Sequence, residues 1–188
     1  MSFRSNNLLK REVSPPFNNL NKNIFDTSIT NFFIMCKTIA KNQRTAIFVT
    51  IGILSLSLTF AILGLIANLA IWTTAASVGL MSLSFAMALG ARGNIWKLLD
   101  EFPKLLECLY QSNNDKCLSL FHKIKASVKL IHGLLIVCCI LIISAAAISW
   151  LPLWGAIAIG VAIAMIGTCL GLIIALANHY TKIINCIV

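Results

Sequence analysis

The chain alternates polar and apolar stretches, and residues 45–91 and 130–181 contain no Asp, Glu, Lys or Arg. A helix crosses a bilayer with about 20 apolar residues, so each stretch suits two crossings and is much too long for one. Each must fold back on itself. The second does so at residues 149–154, "SWLPLW". Pro152 lacks the backbone N–H that a helix interior needs and biases Leu151 away from the helical region. Trp150 and Trp154 suit the membrane interface, where an apolar ring keeps its N–H wet. The crossings on either side are 130–148 and 154–177. The competing reading, a kink within one helix, leaves a helix far longer than the bilayer. The first stretch turns near its middle, at residues 68–72, where Asn68 and Trp72 stand together. Its crossings are then 46–67 and 73–91, and a turn at Thr73 and Thr74 fits equally well.

The polar stretches carry their own periodicity. Residues 1–28 are rich in Asn and Ser and include Pro15 and Pro16, the composition of a disordered leader. From Ile29 the spacing becomes helical: Ile29, Phe32, Phe33, Cys36, Ile39 and Ala40 recur at three and four. Residues 29–44 therefore predict an interfacial helix, or else an extension of the first crossing. Between residues 92 and 129, Ile95, Leu98, Leu99, Phe102, Leu105, Leu106 and Leu109 share one helical stripe. Pro103 kinks this helix or marks a boundary inside it. Residues 112–115, "SNND", form a turn, after which Leu118, Phe121, Ile124 and Val128 continue helical spacing. This helical pair either lies on the bilayer or offers a groove to a partner helix. In the second case Trp96, Leu99, Phe102, Leu106, Phe121 and Ile124 are its anchors.

Charge sets the orientation. The chain has 188 residues, 15 of them Lys or Arg, and a net charge of +9. All of the Lys and Arg lie in residues 1–44, in 92–129 or at Lys182. The positive-inside rule places those three segments in the cytosol. The same charge draws them to an anionic leaflet. No recognition motif accompanies it, so nucleic acid is not an expected partner. With 59% hydrophobic and 11% charged residues, the chain lies well outside soluble composition. The predicted fold class is an all-α membrane protein with four transmembrane helices in two tight hairpins, joined by a short cytosolic amphipathic helical hairpin. In chain order this gives a polar leader (1–28), an interfacial helix (29–44), transmembrane hairpin 1 (45–91), a cytosolic amphipathic segment (92–129), transmembrane hairpin 2 (130–177) and a cytosolic tail (178–188). No cleavable signal peptide is expected, since the first strong apolar run starts only at Ala46.

Nothing in the sequence points to catalysis, a cofactor or a metal. The crossings lack the carboxylates and cations that mark ion pathways. His132 and His179 fall near cytosolic ends, and no C-x-x-C pair occurs among the seven cysteines. Cys36, Cys108, Cys117 and Cys186 fall on the cytosolic side, where thiols stay reduced. Cys36, Cys108 and Cys186 are candidate palmitoyl acceptors in a eukaryotic host. Small residues recur every four positions at Ala156, Gly160 and Ala164, at Gly167, Gly171 and Ala175, and at Ala75/Gly79 and Ala86/Gly90. Such series let helices approach closely. Internal packing is the expected use, and a homo-oligomer the alternative.

Two apolar stretches that each fold into a tight hairpin, 45–91 and 130–181, resemble the bilobed hydrophobic domains of the inclusion membrane (Inc) proteins that chlamydiae secrete into their host vacuole. The start, "MSFRSNNLLKREVSPPFNN", looks like a type III secretion leader. The resemblance implies a non-catalytic effector in the inclusion membrane, with its termini in the host cytosol, that recruits host cytosolic or membrane proteins. It is one of hydropathy shape and covers nearly the whole chain. The competing classes are a resident bacterial inner-membrane protein of small-transporter or holin type and a eukaryotic four-span scaffold.

Overall fold

A computed structural model describes the backbone of residues 17–70, 74–111 and 115–187, and the side chains within 30–70, 74–110 and 116–183. Among these residues the chain is all helical: α1 is Phe17–Leu69, α2 Thr74–Gln111, α3 Asp115–Ile148 and α4 Pro152–Ile187. Four segments are long and apolar enough to cross a membrane, Thr30–Leu69, Thr74–Tyr110, Lys116–Ile148 and Pro152–Ile183. Each helix runs unbroken from its apolar part into its charged part. At ~1.5 Å per residue the 38 residues of α2 extend about 57 Å. A bilayer core is about 30 Å thick, so much of α2 projects beyond it.

These lengths correct several expectations. Of the two readings of residues 29–44, the extension of the first apolar helix is the one found, since they are part of the 53-residue α1. Residues 17–28, expected to be disordered, are its first turns, and 1–16 lie outside the described residues. Pro103 neither ends nor divides α2. It sits on the exposed side of the helix, where the ring meets solvent rather than a neighbouring helix. The second hairpin turns where its proline requires. α3 ends at Ile148 and α4 begins at Pro152, whose missing N–H would be unpaired in any first turn. The first hairpin closes between Leu69 and Thr74, with Asn68 in the last turn of α1 and Trp72 outside the described residues.

Each helix packs on two neighbours: α1 on α2, α2 on α3, α3 on α4, and α4 back on α1. Paired residues run in opposite directions, Cys36 with Cys108 and Ser57 with Ser84 across α1–α2, Phe102 with Phe121 and Trp96 with His132 across α2–α3. The result is an up-down-up-down four-helix bundle.

One seam runs the length of every helix. In α1 the buried positions are Cys36, Ala40, Gln43, Ile47, Thr50, Leu54, Ser57, Ala61, Gly64 and Asn68. They alternate by four and three without a slip. The same register runs through α2 from Ser77 to Leu109, α3 from Cys117 to Ser149 and α4 from Gly155 to Ile183. A strict seven-residue repeat keeps one face on the partner and is the pattern of a left-handed coiled coil.

Within the apolar part the seam mixes branched side chains with small and polar ones, while large side chains point outward. Ser57, Ser77, Ser84, Ala88 and Ala145 are fully buried, whereas Phe48, Ile66, Ile140 and Ile157 are more than half exposed. That inversion suits lipid, which offers no hydrophobic drive for helices to meet. Helices there approach through small residues and exchange hydrogen bonds. The Ser57 hydroxyl donates to the Ser84 carbonyl and the Ser84 hydroxyl to the Ser57 carbonyl, each at 2.9 Å. Ser77 donates to the Gly64 carbonyl at 2.9 Å. At the turn end, Asn68 Nδ2 donates to the Ser149 carbonyl at 2.7 Å, tying the first hairpin to the second.

Gly155 makes that tie reachable. A Cβ there would stand 2.8 Å from Ser149 Cα and 3.1 Å from Asn68 Nδ2. Gly155→Val should therefore cost about 1–3 kcal/mol through overpacking. Ser84→Ala should cost about 0.6 kcal/mol, the average for an interhelical hydrogen bond in a membrane. Reversible unfolding of the protein in mixed micelles gives both values. A Gly155→Val protein as stable as the parent would contradict this arrangement of the turns.

Candidate functional site: the charged end of the bundle

The charges of α1–α4 all fall at one end, in residues 22–44, 92–129 and Lys182. The opposite end carries the α3–α4 turn, where Trp150 and Trp154 are 71% and 63% exposed. Trp96 lies roughly 22 residues along α2 from its first residue, or about 33 Å at 1.5 Å per residue. That is close to the thickness of a bilayer core. Exposed tryptophans thus stand at two levels one membrane apart, as interfacial belts do.

Beyond Trp96 the seam becomes strongly apolar, because water surrounds this part and burial now drives packing. Ile95, Leu98, Phe102 and Leu105 of α2 face Phe121, Ile124 and Val128 of α3, and all are buried. The rings of Phe102 and Phe121 meet edge to face at 5.3 Å. The apolar stripe of residues 92–129 thus neither lies on the bilayer nor forms an open groove. It closes against α1 and α4 as the continuation of the transmembrane bundle.

The expected partner anchors divide accordingly. Phe102, Phe121 and Ile124 are core residues, 2% exposed or less, and cannot reach a partner without the bundle opening. Leu99 and Leu106 are half-buried against the same core. Trp96 alone of the six is well exposed, at 53%, with its ring 5.2 Å from that of His132.

Two buried polar groups interrupt this half of the core. Gln43 is 1% exposed and Tyr180 fully buried, and neither the Gln43 amide nor the Tyr180 hydroxyl has a hydrogen-bond partner among the described residues. Within the described residues no group of three His, Cys, Asp or Glu side chains is arranged to hold a metal ion.

The cysteines depart from expectation. Cys36 and Cys108 are bonded to each other across α1 and α2, with their Cα atoms 5.8 Å apart, and Cys117 is disulfide-bonded as well. Thiols in a cytosol were expected to be reduced, and buried, bonded sulfurs are not palmitoyl acceptors. The side chain of Cys186 lies outside the described residues. Cys36 and Cys108 occupy seam positions, so their side chains close this end of the bundle either as a bond or as packed thiols. The redox state of the compartment selects between the two. Cys138, Cys139 and Cys169 are free and buried in the apolar half.

The small-residue series are also placed differently from expectation. Added Cβ atoms at Gly79, Gly160, Gly167 and Gly171 would meet nothing within 4 Å, and Ala75, Ala86, Ala164 and Ala175 are exposed. Internal packing uses other small residues, such as Ala61, Gly64, Ala88 and Gly155. Most of the expected series face outward instead, while a Cβ at Gly90 would meet Ile53 at 3.9 Å.

The chain matches no family model, no curated protein and no solved structure.

The core placement orders the effects of substitution. Phe102→Ala should cost about 3–5 kcal/mol, the range for emptying a buried aromatic site. Trp96→Ala should cost about 1 kcal/mol, the value of one aromatic contact. Chemical unfolding of the detergent-solubilised protein measures both, and equal costs would mean that the stripe is not packed as described.

Proposed function

We propose that the protein is a non-catalytic, multi-pass membrane protein of the inclusion-membrane type. In this reading a type III apparatus delivers it and the host vacuole membrane receives it. Its basic end faces the host cytosol and recruits host cytosolic or membrane partners. The observation that carries the reading is the separation of the bundle into two parts. One half is coated by apolar side chains and ends in a short tryptophan-flanked turn, and the other half holds every helix charge. With short turns at one end, the charged end offers the larger surface to a partner.

The seam bears on the competing classes. At mid-membrane it is filled by Leu54, Met81, Leu135, Ile142 and Ile166, all fully buried. The helices there are continuous, whereas transporters build their sites from broken helices. Close internal packing with lipid-facing large side chains suits an anchor better than a carrier. Phe102 and Phe121 are core residues and offer no surface to a partner. The surface available to a partner is the charged exterior around Lys97, Lys104 and Lys123, together with Trp96.

Two experiments test the reading. Cysteines introduced at Lys104 and at Leu153 should react with an impermeant maleimide from opposite faces of the host membrane, Lys104→Cys from the cytosol and Leu153→Cys only from the lumen. Reaction of Leu153→Cys from the cytosol would reverse the orientation. For delivery, residues 1–44 fused to a reporter should be exported by a type III apparatus. A reporter that stays inside the bacterium, with the full chain in the bacterial envelope, would favour a resident inner-membrane protein.

A further inference from the structure

At the level where the apolar half meets the charged half, the face of α2 carries an open cavity of about 440 Å³ lined by Leu89, Arg92, Gly93, Trp96 and Lys97. We propose that this cavity binds the phosphate headgroup of an anionic phospholipid of the leaflet at the basic end. The proposal rests on the membrane-spanning reading and is independent of which membrane the protein occupies.

The donors come first. Arg92 is the first charged residue after the apolar run that starts at Thr45. Its Nε is buried and has no hydrogen-bond partner among the described residues, and the same is true of His132 Nε2 on α3. His132 stands beside Trp96 of the cavity wall, their rings 5.2 Å apart. Buried N–H groups without partners are uncommon. A phosphate in the cavity meets the guanidinium of Arg92, which lines it. Arginine suits that task because its planar fork matches phosphate oxygens. Lys97, exposed one turn further along α2, adds a second positive charge at the mouth.

The walls have the polarity of a lipid. Leu89 forms the side toward the apolar half, and Trp96 stands at the interface with its ring against His132. Glycine leaves the cavity open. A Cβ added at Gly93, or at Gly133 beside His132 on α3, would meet nothing within 4 Å. The basic lining lies where a headgroup lies, about one bilayer core from the turn end. A cationic rim beside an apolar wall on a spanning helix is the chemistry that holds anionic headgroups. Dissolved phosphate has no acyl chains to place against Leu89, so the lipid is the source favoured.

The test uses the full chain released from mixed micelles into a mass spectrometer, with phosphatidylglycerol or phosphatidylcholine added. One phosphatidylglycerol should remain bound to the parent protein in preference to phosphatidylcholine. Arg92→Gln with Lys97→Gln should weaken that binding on the order of tenfold or more. Gly93→Leu should do the same by filling the cavity with no change of charge, and the open space at its Cβ lets the variant fold. Lys37→Gln with Lys41→Gln, which removes two exposed charges elsewhere on the same end, should leave the bound lipid in place. Equal loss in the Lys37/Lys41 variant would mean diffuse surface attraction and overturn the site. Full retention in Gly93→Leu would overturn it as well. Glycerol phosphate added alone should give no stable adduct, and an adduct as strong as that of the lipid would overturn the choice of ligand source. Recovery of every variant in the membrane fraction with parental helix content separates these outcomes from failure of insertion, which would instead count against the membrane reading.

Discussion

Lipid removes the force that usually assembles helices, because an apolar side chain gains nothing by leaving hydrocarbon for a protein interior. Between α1 and α2 this bundle uses the alternative, small residues at the seam joined by hydroxyl hydrogen bonds, while branched side chains fill the seam of α3 and α4. Ser57 and Ser84 exchange hydrogen bonds in the middle of α1 and α2, Ser77 reaches the Gly64 carbonyl nearer the turn, and Asn68 closes the end on Ser149. Each bond is modest. Together they sit in one seven-residue register, and that register continues into the charged half. There, in water, the same positions are filled by Phe102, Phe121 and Ile124, and burial takes over as the driving force. One geometry thus serves two solvents.

This explains which features were legible in the sequence. Charge-free runs revealed the four crossings, and Pro152 between two tryptophans located the second turn closely. The amphipathic stripe at residues 95–109 was visible because one face there is polar. The partner of that stripe was not visible. Inside an apolar run both faces of a helix look alike, so periodicity disappears from hydropathy, and the sequence left open whether 29–44 is a helix of its own or an extension of the first crossing. The signal that would have joined them was the recurrence of weakly polar or small residues every seven positions. Gln43, Thr50, Ser57 and Gly64 form one such series, and Ser77, Ser84 and Ala91 another. In a membrane bundle these mark the inside. The outward glycines at 160, 167 and 171 show the converse, since a spacing of four alone does not say which way a series faces.

The charged end gains its character from the same register. With Phe102, Phe121 and Ile124 committed to the core, its exterior carries lysines, acids, Trp96, the cavity beside Arg92, and exposed Phe33, Ile34, Met35 and Tyr110. The nearness of His132 to Trp96 was not legible in the sequence, because the two are 36 residues apart and only the antiparallel pairing of α2 and α3 brings their rings together. The Cys36–Cys108 bond belongs to this end too. It fastens a residue read as interfacial to the last turns of α2, and it can be made only if both segments stand upright in one bundle.

That requirement gives the most direct test. In a protein whose other five cysteines are replaced by Ala, mild oxidation in the membrane should join Cys36 and Cys108 within one chain, detected as a cross-linked peptide by mass spectrometry. A continuous bundle predicts rapid and nearly complete intramolecular bonding. If residues 29–44 lay along the bilayer, apart from the 92–129 segment, the two thiols would stay free or would link separate chains, and the continuous bundle would be contradicted.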